Sequence, residues 1–411
     1  MTKRFLYATF DELKNAETTD VYFIRTKKIL KEKGLYDTRV YMEVTVSSFP
    51  DNYKWAVYAG LREVVKLFEG LEGVNLYSIP EGTVLKSRDY YGYRIPVMVV
   101  EGPYGVFVEY ETPLLGFLAS ASGIATKAAR VKKAAGDSIV LSFGARRQHP
   151  ALAPFVEYYA YIGGADGVSA VKGAELLGIE ATGTMPHSLL IIFRAVKGDH
   201  TQAWLAFDEV VDPKVKRIAL VDTFLDETEE ALRAAKLLGE RLWGVRLDTP
   251  SSRRGDFTEI IREVKWKLKA AGFSNVKIVV SGGINEYTIP KLKRAGAEAF
   301  GVGSTIAAAP LIDYAMDITA VEVGGKWVPI AKRGKLSGRK MPYRCEKCLV
   351  DVVKLESEEP PKCPICGGEM KPLLEKYLEN GKVVKEPESP KEVKNRVKSQ
   401  VEKIPMEDFV T

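Results

Sequence analysis

Four cysteines are the chain's whole complement, and they fall in two pairs, Cys345-Glu346-Lys347-Cys348 and Cys363-Pro364-Ile365-Cys366. Each C-x-x-C brings two thiolates to one side of a tight turn, and two such turns complete a tetrahedral S4 shell for Zn2+. Pro364, Gly367 and Gly368 suit a backbone that folds sharply around sulfur. A disulfide scaffold would need a signal peptide and denser cysteine, and a redox C-x-x-C would not come twice. The pattern predicts a structural zinc knuckle and puts the chemistry elsewhere.

A second group of residues has types and spacings suited to chemistry. Phe143-Gly144-Ala145-Arg146-Arg147 sets an aromatic face beside guanidinium groups, which suits a flat anionic ring; a solvated rim is the plainer alternative. Arg246 and Asp248, two apart on a strand, point to the same side. The arginine can clamp phosphate or carboxylate while the aspartate takes sugar hydroxyls or Mg2+; an internal ion pair is the alternative. Ser281-Gly282-Gly283-Ile284 and Gly301-Val302-Gly303-Ser304-Thr305 each stop an apolar run with glycines and open a helix, so backbone N–H groups can cradle a phosphate. Of three histidines, His149 and His200 read as polar loop residues. His187, after Thr184-Met185-Pro186, can serve as acid, base or nucleophile, or merely cap a helix.

Composition bounds the context. The 411 residues carry a net charge of +6 with 54 acidic residues among the charges, which fits a soluble enzyme for anionic small molecules. Basic runs are short (Lys127 to Lys133, Lys332 to Lys340 and the C-terminal segment), unlike a nucleic-acid footprint. Charges at Lys3, Arg4, Asp11, Glu12 and Asp20 leave no room for a signal peptide, and no apolar run approaches the roughly 20 residues of a membrane span. A cytoplasmic protein without membrane or nucleic-acid partners is expected.

The elements that must position these residues are of two textures. Before about Pro113, strands at Val40–Val46, Gly82–Lys86 and Ile95–Glu101 accompany a helix from Tyr53 to Glu69, an open α/β sandwich. From Leu114 to Ala135 runs an Ala-rich helix. Short apolar strands then alternate with helices: Ser138–Phe143, Gly167–Ala170, Glu180–Gly183, Arg217–Val221, Leu242–Leu247, Val276–Val280 and Ala299–Val302. Seven or eight such β/α units predict a closed (β/α) barrel, with its site at the C-terminal strand ends. Asp166, Thr182 to His187 and the motifs above fall at the expected ends, and the loops after the last two strands are where barrels hold phosphate. The predicted domains are an α/β sandwich (1–113 with 316–340, including a hairpin at Gly324-Gly325), the barrel (114–315), the zinc knuckle (341–375) and a charged tail (376–411) with a helix near Pro390–Val401.

Taken together, Thr18 to Phe23 (TTDVYF), Ser142 to Arg147 (SFGARR), Thr182 to Ser188 (TGTMPHS), Gly244 to Arg253 (GVRLDTPSSR), SGGI and GVGST resemble nicotinate phosphoribosyltransferases, and the knuckle is similar to the archaeal branch of that family. The resemblance implies the type II phosphoribosyltransferase fold. It also implies a homodimer or larger assembly with its site at the subunit boundary, and condensation of nicotinate with phosphoribosyl pyrophosphate, with Mg2+ and with ATP coupled through a phosphohistidine. Tyr22 of a neighbouring subunit would stack on the pyridine ring opposite Phe143; Arg146 and Thr184 would take the carboxylate; His187 would carry the phosphate. Arg246, Asp248 and Ser251 would hold ribose and pyrophosphate, and Gly283, Ser304 and Thr305 the 5-phosphate, with Gly282 and Gly303 in the same loops. A quinolinate phosphoribosyltransferase is the nearest rival and would need an extra basic cluster for its second carboxylate. A zinc-ribbon nucleic-acid binder would leave the strand ends unexplained.

Overall fold

The computed structural model describes residues 5–50 and 53–405. The chain divides into two compact units: Lys127–Ala309, and a second made of the residues before and after it. The division falls within the helix Glu111–Ala135. Among the described residues no helix is long and apolar enough to cross a membrane.

The unit formed by the two ends of the chain is built on an antiparallel sheet ordered Lys326–Pro329, Asp313–Val323, Arg39–Ser48, Pro96–Pro103, Asn75–Ser78, Glu375–Glu379 and Lys382–Val383. Arg39–Ser48 lies inside the sheet and is buried along most of its length. The Gly324-Gly325 turn joins the first two strands of that order, and both glycines have positive φ, as a tight hairpin requires. The helix expected from Tyr53 is shorter, Leu61–Phe68. Ala56–Val57 pairs instead with Val84–Leu85, and Gly60, at φ 103°, turns the chain into the helix, where Oε1 of buried Glu81 accepts the N–H groups of Gly60 and Leu61. Lys340–Cys345 pairs with Val350–Leu355 and Lys371–Pro372 in a small sheet that carries the cysteines.

Beyond residue 375 the chain is more than a charged tail. Tyr377 and Leu378 enter the main core, and Val393, Val397 and Val401 of the helix Pro390–Val401 are buried. The end of the predicted tail, 406–411, lies outside the described residues. Arg344 ties this region together: its guanidinium forks onto both oxygens of Asp351 at 2.7 Å and donates to Gln400 Oε1 at 3.0 Å, all three residues being buried. Gln400 Oε1 also accepts the N–H of Val84.

In Lys127–Ala309 six parallel strands form one sheet: β1 (Ile139–Ser142), β2 (Gly167–Val168), β3 (Arg217–Leu220), β4 (Leu242–Leu247), β5 (Lys277–Ser281) and β6 (Ala299–Val302), ordered β2-β1-β6-β5-β4-β3. β4 is almost wholly buried and β6 wholly so, as expected when helices cover a parallel sheet. The barrel does not close through hydrogen bonds. The strand expected at Glu180–Gly183 forms no ladder and contributes one bond, from Thr182 N–H to the carbonyl of Val168, so β2 and β3 remain edges of a half-barrel. Two helices absent from the sequence reading, His187–Lys197 and Gln202–Val210, follow that segment.

Asp351→Ala would leave the Arg344 guanidinium buried without its partner. We expect a loss of about 3–5 kcal/mol of stability, measurable by denaturant unfolding; a loss below about 1 kcal/mol would show that the pair does not hold this region.

Candidate active site

At the C-terminal ends of the six strands lies a cavity of about 610 Å³. Arg246 organises it. Only 9% exposed, it donates to the carbonyl of Met185 at 3.0 Å, to Ser281 Oγ at 3.3 Å and to Asp248 Oδ2 at 3.4 Å. Ser281 in turn donates to Asp248 Oδ1 at 2.8 Å. One guanidinium thereby links the Thr182–His187 segment, the end of β4 and the end of β5.

That linkage places His187 at the first position of the helix His187–Lys197. Nδ1 lies 3.0 Å from Thr223 Oγ1; Nε2 lies 3.7 Å from Asp248 Oδ2 and 3.9 Å from Asp222 Oδ2, close to both carboxylates but beyond hydrogen-bond range. Asp248 foremost, and Asp222 after it, raise the imidazole pKa against partial burial and the charge of Arg246. Burial would raise Asp248, yet His187, Arg246 and Ser281 together hold it below the usual carboxylate range. Burial pushes Asp222 up to about 6, with His187 opposing. Both Asp222 oxygens are buried without a hydrogen bond of normal geometry. The cluster thus sets one guanidinium and one imidazole against two carboxylates.

The other side of the cavity carries Phe143, Arg146, Arg147 and Thr184. The Phe143 ring needs the space left by Gly301: a Cβ there would lie 2.3 Å from Phe143 Cε2. Glu157, fully buried, accepts from Ser142 Oγ at 3.2 Å and from the N–H of Ser169 at 3.0 Å, so it fixes the ends of β1 and β2. Burial pushes its pKa up to about 7. Gly282 and Gly283, with φ of 87° and 68°, adopt left-handed backbone that side chains resist. They line the cavity with Gly303, Ser304 and Thr305, and Thr305 Oγ1 donates to the Ile284 carbonyl at 2.7 Å, joining the two glycine loops.

Two residues expected at the site are elsewhere. Asp166 precedes β2 rather than following it, and its carboxylate takes the N–H of Val140 and the ammonium of Lys132, both at 2.8 Å, so it fastens the N-terminal ends of the strands. Ser251 is exposed at the head of the short helix Ser251–Arg254 and does not line the cavity. Tyr22, expected to act from a neighbouring subunit, is 54% exposed on the helix Val21–Glu32 of the other unit. Sequence reasoning placed Asp222-Thr223 and Ser281 at strand ends without giving them individual roles, and it missed Glu157, which carries no local signal.

Cys345, Cys348, Cys363 and Cys366 bring their sulfurs within 4.8 Å of one another, and Cys345 and Cys366 Sγ are 3.7 Å apart. A tetrahedron with Zn–S near 2.3 Å has edges of roughly 3.8 Å, so the cluster is sized for one such ion. Within the cluster the thiols differ: the N–H groups of Cys366 and, less, of Ile365 draw Cys363 down to about 7 against burial, while hydrogen bonding to Cys366 pushes Cys348 up to about 12.

Residues 20–122 match the quinolinate phosphoribosyl transferase N-terminal domain and 124–317 its C-terminal domain. The crystal structure of nicotinate-nucleotide pyrophosphorylase from Pyrococcus furiosus is 49% identical, with a TM-score of 0.91 over 98% of each chain. A nicotinate phosphoribosyltransferase of Bacillus subtilis is 28% identical over 79% of this chain and 72% of its own. The chain belongs to the quinolinate phosphoribosyl transferase family. It is thus an enzyme on a quinolinate phosphoribosyl transferase scaffold, and human nicotinic acid phosphoribosyltransferase, 22% identical with a TM-score of 0.74 over 95% of each chain, shares the fold.

Purified protein is expected to contain about one zinc per chain by elemental analysis. Cys345→Ser or Cys363→Ser should lower both zinc content and melting temperature, because an S4 site contributes folding energy directly. A variant that keeps its stability but loses turnover at saturating substrate would make the metal catalytic.

Proposed function

We propose that the protein joins nicotinate to phosphoribosyl pyrophosphate, giving nicotinate mononucleotide and pyrophosphate, and that ATP drives the reaction through a phosphate on His187. The reading is carried by one observation: an aromatic face with a guanidinium, a buried Arg–Asp pair and a glycine cradle share one cavity. Family membership supports phosphoribosyl transfer in the salvage of NAD.

The pyridine ring lies on Phe143 with its carboxylate on Arg146 and Thr184. Arg147 stands close to Gly303, its Nε 3.9 Å from where a Cβ would lie, so it belongs to the phosphate end. That leaves Arg146 as the cation for a single carboxylate, which favours nicotinate over quinolinate. The 5-phosphate occupies the loops of Gly282, Gly283, Gly303, Ser304 and Thr305, and Arg246 and Asp248 hold ribose and pyrophosphate. The C1–O bond to pyrophosphate breaks, its electron pair leaving with pyrophosphate, and the ring nitrogen supplies its lone pair to C1. No general base is needed, and catalysis consists of positioning and charge stabilisation. Mg2+ accompanying the pyrophosphate would neutralise part of its charge, and Asp248 would offer it an oxygen of the hard, anionic type it takes.

With Nδ1 engaged by Thr223, Nε2 is the nucleophile toward ATP: the N–P bond forms as the bond from the γ-phosphorus to the ADP oxygen breaks, and water later releases phosphate. A phosphate here adds negative charge beside Asp222 and Asp248, which alters the charge facing the pyrophosphate. A homodimer or larger assembly, in which a second copy lends Tyr22 to the ring, is supported by the exposed Val21, Tyr22 and Ile24 on one helix. A cytoplasmic location accords with this chemistry.

Arg146→Ala should raise the nicotinate Michaelis constant roughly 10²-fold, from about 1.5–3 kcal/mol for a charged hydrogen bond; an unchanged preference for acid over amide removes Arg146 from the site. Incubation with γ-labelled ATP should leave an acid-labile, base-stable phosphate on the protein. His187→Ala should abolish both label and ATP stimulation while a slower ATP-independent condensation persists, and full ATP stimulation of that variant would reduce His187 to a helix cap.

A further inference from the structure

We propose that His200 and Glu230 are positioning residues for His187, holding the turn Asp222–Leu225 so that Thr223 fixes the His187 ring; this rests on the role given to His187 above. Glu230 has no exposed surface. Its Oε2 accepts the N–H of Thr223 at 3.2 Å and its Oε1 those of Phe224 at 3.1 Å and Leu225 at 3.2 Å; His200 Nε2 lies 2.9 Å from Oε1, an ion-pair contact without hydrogen-bond alignment. His200, 2% exposed, sets its ring edge-on to Trp204 and against Phe224. Trp204 is itself anchored by Nε1 to the Leu220 carbonyl at the end of β3. The pair therefore spans from the segment just before the helix Gln202–Val210 to the helix Glu227–Leu238 and grips the turn between β3 and the latter.

Packing alone does not call for this arrangement. A carboxylate taken fully out of water is costly unless donors surround it, and an apolar residue would fill the space without that cost. What the carboxylate adds is direction: three consecutive N–H groups converge on it, so the turn has one conformation. That turn carries Asp222 at its start and Thr223 next, the two groups that meet His187 from this side. From β4, Asp248 and Arg246 meet it from the other. With Thr223 Oγ1 accepting from Nδ1–H, Nε2 is left to face the carboxylates. Loosening the turn frees the ring to rotate and lose its aim, while the ring, ribose and phosphate subsites are untouched.

The test compares Glu230→Gln, His200→Gln, Thr223→Val and Thr223→Ser for the rate of labelling by γ-labelled ATP, for ATP-independent condensation, and for the 15N shifts of the His187 ring, which are tractable because the chain has only three histidines. Glu230→Gln and Thr223→Val should each slow labelling about tenfold, the worth of one hydrogen bond. Thr223→Ser should restore it, and Glu230→Gln should leave ATP-independent condensation within about twofold by the same reckoning. Because both residues act through one contact, the double variant should label no more slowly than Thr223→Val alone. Losses that multiply, or an equal fall in condensation and labelling, would overturn the proposal. If Glu230→Gln does not fold, the cycle of His200→Gln with Thr223→Val decides by the same criteria. Should the wild-type protein take no label, the ATP reading fails on its own; the Nδ1 shift of His187 then decides, moving in Glu230→Gln as in Thr223→Val if the proposal holds and staying fixed if it does not.

Discussion

The guanidinium of Arg246, withdrawn from water at the mouth of the half-barrel, has partners on three different chain segments: the Met185 carbonyl, Ser281 and Asp248. Burying such a charge is tolerable only with those partners in place, and removing one member of a buried charged pair typically costs about 3–5 kcal/mol. The requirement therefore works in reverse: wherever Arg246 goes, the Thr182–His187 segment and the end of β5 must follow. His187 comes to lie beside Asp248 and Asp222 for that reason, and the glycine loop after β5 meets the one after β6 through Thr305. The same side chain that holds the architecture faces the proposed leaving group.

Much of the site was legible because parallel strands are apolar and stop abruptly. A polar or glycine-rich motif directly after such a run falls at the C-terminal end of the sheet, and Phe143, Arg146, Asp248, Gly283 and Ser304 were found on that rule alone. Asp166 did not obey it: the residue precedes the strand read at Gly167–Ala170 and so lies at its N-terminal end, where its carboxylate takes the N–H of Val140. The closed barrel was overread for a related reason. Glu180–Gly183 has an extended, glycine-containing sequence, and whether it completes a ladder depends on a neighbour that sequence alone does not supply.

The residues that were not legible act at a distance. Glu230 stands among acidic neighbours on a helix and reads as solvated, yet it is buried because the 223–225 turn needs an acceptor. Glu157 is disguised within an aromatic helix, and His200 within a short polar stretch. Near the C-terminus, Val393, Val397 and Val401 recur at helical spacing within a strongly charged segment, and the charge masked the stripe. In each case the partner, rather than the residue itself, carries the information.

Steady-state condensation with phosphoribosyl pyrophosphate, run separately with nicotinate, nicotinamide and quinolinate, each with and without ATP, tests the central claim most directly. Nicotinate should be converted to its mononucleotide far better than either rival, with ATP raising the rate or extent. Efficient consumption of quinolinate with release of carbon dioxide, or indifference to the carboxylate, would contradict it.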